Sequence, residues 1–199
     1  MPSSRNREFL ARGRRGIIYT SVVRGKKIAS KEKNPDSAAR GRIRNEARYL
    51  RLLNTHGIGP RMVRYHDGKL SYVFVEGTPI LGFIAQASRK QVITALRQIF
   101  QQLFILDSLG ITKREMGRPV KHILVTKTGK PVLLDFERCY PSRKPKNVTQ
   151  FCMFLLSPRM QGLLQPKEIR ISRSKLLSAC REYKHAISPL LLRKLLSCI

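Results

Sequence analysis

The feature that most constrains the fold is a hairpin-like stretch in the middle of the chain, with a carboxylate at each end. Residues 122–125 and 131–134 are two short, mainly apolar segments, and the polar turn at 127–130 contains the glycine that a short hairpin connection favours. Glu115 precedes this predicted hairpin and Asp135 follows it directly. Only 12 residues of the chain are acidic, so two carboxylates framing one hairpin indicate a chemical site.

The order of predicted elements indicates two parts. Alternating apolar residues and glycine turns predict five strands between residues 9 and 75, with one helix from the polar residues 34–37 to about residue 53. Apolar residues recur at helical spacing over residues 90–109, and residues from about 148 also read as helices. We therefore expect an α+β fold of two lobes, with antiparallel strands and one helix in residues 1–77 and mostly helices in residues 78–199.

The charge of the chain is far from balanced. Forty Lys and Arg residues against 12 Asp and Glu residues give a formal charge of +28. Such an excess favours polyanionic partners, nucleic acid first, so RNA, DNA or a ribonucleoprotein is one expected partner. The alternative explanation of the charge is a basic bias shared by the whole proteome.

Other compositional features point to the cytoplasm. The four cysteines form no Cys-x-x-Cys pair, which predicts free thiols rather than a zinc site. No uncharged apolar run approaches the ~20 residues of a membrane span, and the N-terminus has no apolar signal segment. We expect a soluble, cytoplasmic protein without a membrane partner.

Two glycines near the N-terminus indicate a phosphate-binding turn. Gly13 and Gly16 lie in Ala-Arg-Gly-Arg-Arg-Gly-Ile-Ile, residues 11–18. Glycines allow backbone N–H groups to approach phosphate oxygens, and Arg12, Arg14 and Arg15 add positive charge. An ordinary hairpin turn is the alternative.

A lysine and two acidic residues complete the candidate chemistry. Lys31 lies 15 positions after Gly16, as expected for adjacent antiparallel strands. Glu46 stands alone in a basic helix, so it needs a partner, either Lys31 or, at i−4, Arg42. Asp135 offers the hard oxygen ligand that Mg²⁺ prefers, although an aspartate can also simply end a hairpin.

In this order and spacing, the motifs resemble those of protein kinases. The glycine turn, the Ile-Ala-Ser-Lys strand ending at Lys31, the helix with Glu46, and the Asp-Phe-Glu at 135–137 match the kinase order. The chain resembles small atypical kinases of the RIO-like group, especially short archaeal serine/threonine kinases. It is also similar in size and plan to the small kinase subunit of the KEOPS tRNA-modification complex. The resemblance covers residues 9–156.

The resemblance implies a bilobal protein-kinase-like fold that transfers phosphoryl groups from ATP, with Mg²⁺, to Ser or Thr hydroxyls of a protein. The catalytic residues it implies are Glu115, Lys31 and Asp135. The nucleotide-binding residues are Gly13, Gly16, Lys31, Glu46 and the hinge pair Glu76 and Gly77, and the metal ligands are Asp135 and His122.

The sequence also departs from the kinase pattern. Glu115 stands in place of the catalytic aspartate, and His122 in place of a metal-binding asparagine, after an interval of seven residues rather than five. Glu137 replaces the glycine of Asp-Phe-Gly, and no Ala-Pro-Glu follows. Two other functions therefore remain open: a pseudokinase scaffold, and a basic nucleic-acid-binding protein on a kinase-like fold.

Overall fold

A computed structural model describes residues 7–199, which form two compact units. The first unit contains residues 7–75 together with Leu133–Cys139, and the second contains Glu76–Val132 and Tyr140–Ile199. The chain thus leaves the first unit after Val75 and returns to it for the short segment that follows the hairpin. Residues 1–6, on which the expectation about a signal segment rests, lie outside the described residues.

The first unit is built on a five-stranded antiparallel sheet. Its strands are β1 (Glu8–Arg12), β2 (Gly16–Val23), β3 (Lys26–Lys33), β4 (Met62–His66) and β5 (Lys69–Val73), in the spatial order β1-β2-β3-β5-β4. Positive φ angles at Asp67 (48°) and Gly68 (70°) make the tight turn between β4 and β5. Because β3 lies in the middle of the sheet, Lys31 sits between Ile18 of β2 and Leu70 of β5.

One helix, α1 (Arg42–Asn54), accompanies this sheet. Its buried face includes Ile43, Ala47, Leu50 and Leu53, as the periodicity predicts. The predicted start at residues 34–37 is wrong because Asn34 is used elsewhere. The Asn34 side chain accepts a hydrogen bond from the Asp36 N–H (3.2 Å) and donates one to the Gly13 carbonyl (3.0 Å). The helix begins instead after Gly41, whose φ is 69°.

The second unit is mostly helical. Its helices are α2 (Ile80–Gln86), α3 (Arg89–Ser108), α4 (Asn147–Leu155), α5 (Pro158–Leu164), α6 (Arg173–His185) and α7 (Pro189–Leu196). Ser88 and Gln91 form a reciprocal capping box at the start of α3. Phe100 of α3 packs edge-on against Phe151 of α4, with ring centroids 5.2 Å apart.

Short strands and two 3₁₀ turns connect these helices. The strands are β6 (Thr78–Pro79), β7 (Ile111–Lys113), β8 (Ile123–Val125), β9 (Pro131–Leu133) and β10 (Cys139–Pro141), and the turns are Arg114–Gly117 and Gln165–Lys167. β8 and β9 are neighbours and form the predicted hairpin, closed by a hydrogen bond from the Thr126 N–H to the Lys130 carbonyl at 3.0 Å.

The α+β prediction is confirmed at this level: a five-stranded antiparallel sheet with one helix precedes a mostly helical region. No helix among the described residues is both long and apolar enough to cross a membrane.

Candidate functional site

Lys31 is the centre of a cluster of charged side chains in the first unit. Its Nζ donates hydrogen bonds to Glu46 Oε2 at 2.7 Å, Asp135 Oδ1 at 3.1 Å and Glu137 Oε2 at 3.2 Å. These acids come from α1 and from the segment after β9, so distant parts of the chain converge on one ammonium group. We call Lys31, Glu46, Asp135 and Glu137 the Lys31 cluster.

Gly16 makes room for the Lys31 side chain. A Cβ atom added at Gly16 would lie 3.0 Å from Lys31 Cε and 3.3 Å from its Cγ. The Gly13 N–H donates to the Gly16 carbonyl at 2.8 Å, and Asn34 holds the Gly13 carbonyl from the other side. The glycine turn is therefore closed on itself and lies beside the stem of Lys31; phosphate binding by this turn stays a prediction.

Helix α1 contributes to the cluster twice. Glu46 points from its buried face to Lys31, and the neighbouring Asn45 donates from Nδ2 to the backbone carbonyls of Glu137 (3.1 Å) and Cys139 (2.9 Å). One helix turn thus supplies a carboxylate and also fixes the backbone that carries the other two carboxylates.

Phe136, which follows Asp135 in the chain, is tightly packed. Phe136 is fully buried, and a Cβ atom at Gly59 would lie only 2.8 Å from both Phe136 Cε2 and Leu50 Cδ1. Asp135 has a φ of 62°, a left-handed conformation that aspartate tolerates better than most residues. Such a backbone persists only where its surroundings determine it, and it recurs at functional sites.

The electrostatics of the cluster are dominated by its excess of carboxylates. Burial lowers the pKa of Lys31, but the charges of Glu46, Asp135 and Glu137 outweigh it, and the pKa is raised above its ordinary value. Burial raises the pKa of Glu46; the charge of Lys31 opposes this, while the other two carboxylates add to it. Lys31 therefore stays protonated, and its single ammonium group faces three carboxylates.

A second cation also pairs with these acids: the Arg15 guanidinium lies 2.9 Å from Glu137 Oε1. Lys31, Arg15 and the three carboxylates together carry a formal charge of −1, in a chain whose formal charge is +28. The Glu46 and Glu137 side chains are only 5% and 6% exposed, whereas that of Asp135 is 32% exposed. Asp135 is thus the carboxylate that solvent or a ligand reaches most easily.

The cluster offers the oxygen ligands that a hard metal ion prefers. One carboxylate oxygen each from Glu46, Asp135 and Glu137 lie within 4.8 Å of one another. Mg²⁺ prefers oxygen ligands and usually takes one or two carboxylates together with phosphate and water. Asp135, with Glu137 beside it, fits that requirement.

The remaining predicted site residues belong to the second unit. Glu115 lies in the 3₁₀ turn Arg114–Gly117, and its Oε2 accepts a hydrogen bond from the fully buried Lys113 Nζ at 2.9 Å. His122 directly precedes β8. Glu76 and Gly77 precede β6; a Cβ at Gly77 would lie 2.7 Å from the Val125 carbonyl oxygen, so the close approach of β8 requires glycine there.

Sequence reasoning missed four residues that build the cluster: Glu137 as a partner of Lys31, Arg15 as a partner of Glu137, and the backbone clamps Asn34 and Asn45. One signal could have revealed Glu137. It stands two residues after Asp135, across an apolar residue, in a chain with few acids. No protein-family model matches the chain, and no curated protein matches it either.

Proposed function

We propose that this protein is a minimal kinase-like phosphotransferase that moves the γ-phosphoryl group of ATP, with Mg²⁺, to a Ser or Thr hydroxyl of a protein. The observation that carries the proposal is the bonding of one buried lysine to Glu46 of α1 and to Asp135. A lysine aligned by a helix glutamate, next to a metal-binding aspartate, is the arrangement on which phosphoryl transfer by protein kinases depends. The five-stranded sheet with one helix supports the finer proposal of a bilobal, RIO-like kinase fold.

Each residue then has a defined task. Lys31, held by Glu46, binds the α- and β-phosphates, and Gly13 and Gly16 give their backbone close access to phosphate. Glu76 and Gly77 bind adenine through their backbone. Asp135 would hold Mg²⁺, with His122 at the second metal position, and the ion would neutralise charge on the β- and γ-phosphates.

The transfer step conserves atoms and charge. The substrate hydroxyl oxygen forms a bond to the γ-phosphorus while the bond from that phosphorus to the bridging β–γ oxygen breaks. ADP leaves with the electron pair of the broken bond, and the hydroxyl proton passes to the Glu115 carboxylate.

Turnover of radiolabelled ATP in Mg²⁺ tests the proposal. We expect Lys31→Met and Asp135→Asn to lower the rate at least about a hundredfold, since each removes charge stabilisation from the phosphates. Lys33→Met is the matched control, because Lys33 is an exposed lysine at the end of the same strand, and it should keep the wild-type rate. Circular dichroism verifies that each variant is folded.

The outcomes separate the alternatives. If Lys31→Met and Asp135→Asn both keep an active wild-type rate, the site assignment is wrong. If the wild type binds ATP but transfers no phosphoryl group, the proposal of a phosphotransferase is overturned in favour of a pseudokinase. If it neither binds nor turns over ATP, the nucleotide site is overturned as well.

A further inference from the structure

The outer face of α1 carries a basic groove that the phosphotransfer site does not use. It has a volume of about 600 Å³, and its lining includes Arg44, Asn45, Arg48, Arg51 and Tyr65. We call it the arginine groove. All its residues lie in the first unit, and its three arginines are exposed.

The three arginines are placed where they repel one another. Residues four and three positions apart lie on one face of a helix, and like charges at that spacing destabilise it. Within residues 7–199, Arg44, Arg48 and Arg51 form no ion pair, whereas Arg7, Arg12 and Arg15 each bind a carboxylate. A row of unneutralised arginines on one helix face indicates an anionic partner from outside the chain.

The spacing and chemistry of the row fit a phosphodiester backbone. From Arg44 to Arg51 the helix rises about 10 Å, which is long enough to contact several successive phosphates at roughly 3.4 Å per nucleotide. The guanidinium group binds phosphate oxygens with two parallel hydrogen bonds, which a lysine cannot do. A row of three such groups matches successive phosphates better than it matches a single anion.

Tyr65 favours a nucleic acid over an acidic peptide. It comes from β4 and is half-buried at the side of the groove. Aromatic side chains beside a basic groove are the usual stacking platforms for bases of single strands, and single-stranded segments are the form in which RNA is most often recognised. The carboxylate side chains of an acidic peptide offer no flat ring to such a tyrosine.

We propose that the arginine groove binds single-stranded RNA, with its phosphates on Arg44, Arg48 and Arg51 and a base stacked on Tyr65. This proposal goes beyond the phosphotransfer function and does not rest on it. Asn45 connects the groove to the Lys31 cluster, because it lines the groove and its side chain donates to the backbone carbonyls of Glu137 and Cys139.

Fluorescence anisotropy with a labelled oligouridylate, measured over a series of salt concentrations, tests this proposal on the full chain. The groove variant is Arg44→Gln/Arg48→Gln/Arg51→Gln. The matched control is Arg159→Gln/Arg170→Gln/Arg173→Gln, which removes the same charge from exposed arginines of the second unit.

We expect the groove variant to bind RNA at least about tenfold more weakly, and its slope of log affinity against log salt to fall by about 2, since each single-strand phosphate contact contributes about 0.7. The control triple should change affinity less than about twofold. Tyr65→Leu should weaken binding about fivefold or more, while Tyr65→Phe, which keeps the ring, should bind as the wild type does.

Several results would overturn the proposal. Equal losses in the two triple variants would mean that net charge, not the groove, drives binding. A wild type that binds no RNA at low salt would exclude the site. Tighter binding of single-stranded DNA or of a phosphorylated acidic peptide would reassign the groove to that partner. Circular dichroism verifies that each variant is folded. None of these binding measurements depends on ATP turnover, so a failure of the phosphotransfer proposal leaves this test unaffected.

Discussion

Asp107 in the second unit and the Lys31 cluster in the first unit show two opposite ways to bury a carboxylate. In the second unit, Asp107 of α3 is 2% exposed and accepts four hydrogen bonds from neutral donors. The donors are the Asn147 N–H (2.9 Å) and side-chain amide (2.7 Å), the Val148 N–H (3.1 Å) and the Tyr183 hydroxyl (3.2 Å). In the first unit, three carboxylates surround one ammonium group.

This difference indicates that the Asp107 site stabilises the fold, whereas the Lys31 cluster does so less. Burial raises the pKa of Asp107, and its donors on α4 and α6 oppose that rise, so the carboxylate is satisfied by rigid groups and joins three helices. The Lys31 cluster keeps excess negative charge and a partly exposed Asp135. Buried charges that are not balanced among themselves weaken the fold and favour a bound cation.

The largest stability effect should come from Asp107→Ala. It leaves buried N–H and O–H donors without acceptors, and each such group costs about 1–3 kcal/mol, so we expect a loss of about 4 kcal/mol in the free energy of unfolding. Urea denaturation measures it. Glu182→Ala, which breaks an exposed ion pair with Lys194, is the control and should cost less than about 1 kcal/mol. Equal losses would show that Asp107 has no special structural weight.

Lys31→Met should have a smaller effect that depends on pH. Without the ammonium group, the buried Glu46 loses the positive charge that opposes its desolvation, so its pKa rises further above that of the unfolded chain. An acid whose pKa is raised by folding destabilises the protein as pH rises through that range. We expect a loss of about 3 kcal/mol at pH 8 and less than half of that at pH 5.

Urea denaturation at both pH values measures this effect, with Lys33→Met as the control. Lys31 itself does not titrate between these values, because its own pKa is raised. A loss of equal size at pH 5 and pH 8 would contradict the view that the three carboxylates share one ammonium group.

The fold was more readily predicted than the site. Periodicity identified the five strands, α1, α3 and the hairpin, because each has a clear period and a glycine turn on at least one side. It missed α2, a seven-residue apolar run that follows Pro79 and contains Gly82, too short for a helical period to be distinguished. The late start of α1 was missed because Asn34 resembles a helix cap, yet its side chain holds the glycine turn.

The site depends on contacts that no local pattern encodes. Lys31 and Glu46 are 15 positions apart, within reach of motif spacing. Glu137 binds Lys31 across 106 positions and Arg15 across 122 positions, so only the return of the chain to the first unit brings them together. The sequence showed Glu137 only as a replacement for the glycine of Asp-Phe-Gly, although the residue supplies a further carboxylate of the cluster.

The smallest predicted difference, about 2 kcal/mol between two glycine variants, tests whether packing or charge holds Asp135 in place. Gly59 and Gly57 both have positive φ angles, 81° and 69°, but only Gly59 is crowded, by Phe136 and Leu50. Gly57→Ala should therefore cost about 1 kcal/mol from backbone strain alone, and Gly59→Ala about 2 kcal/mol more, because its Cβ displaces Phe136. Urea denaturation compares the two. If both alanine variants lose the same stability, the close contact between Gly59 and Phe136 does not hold Asp135 in place.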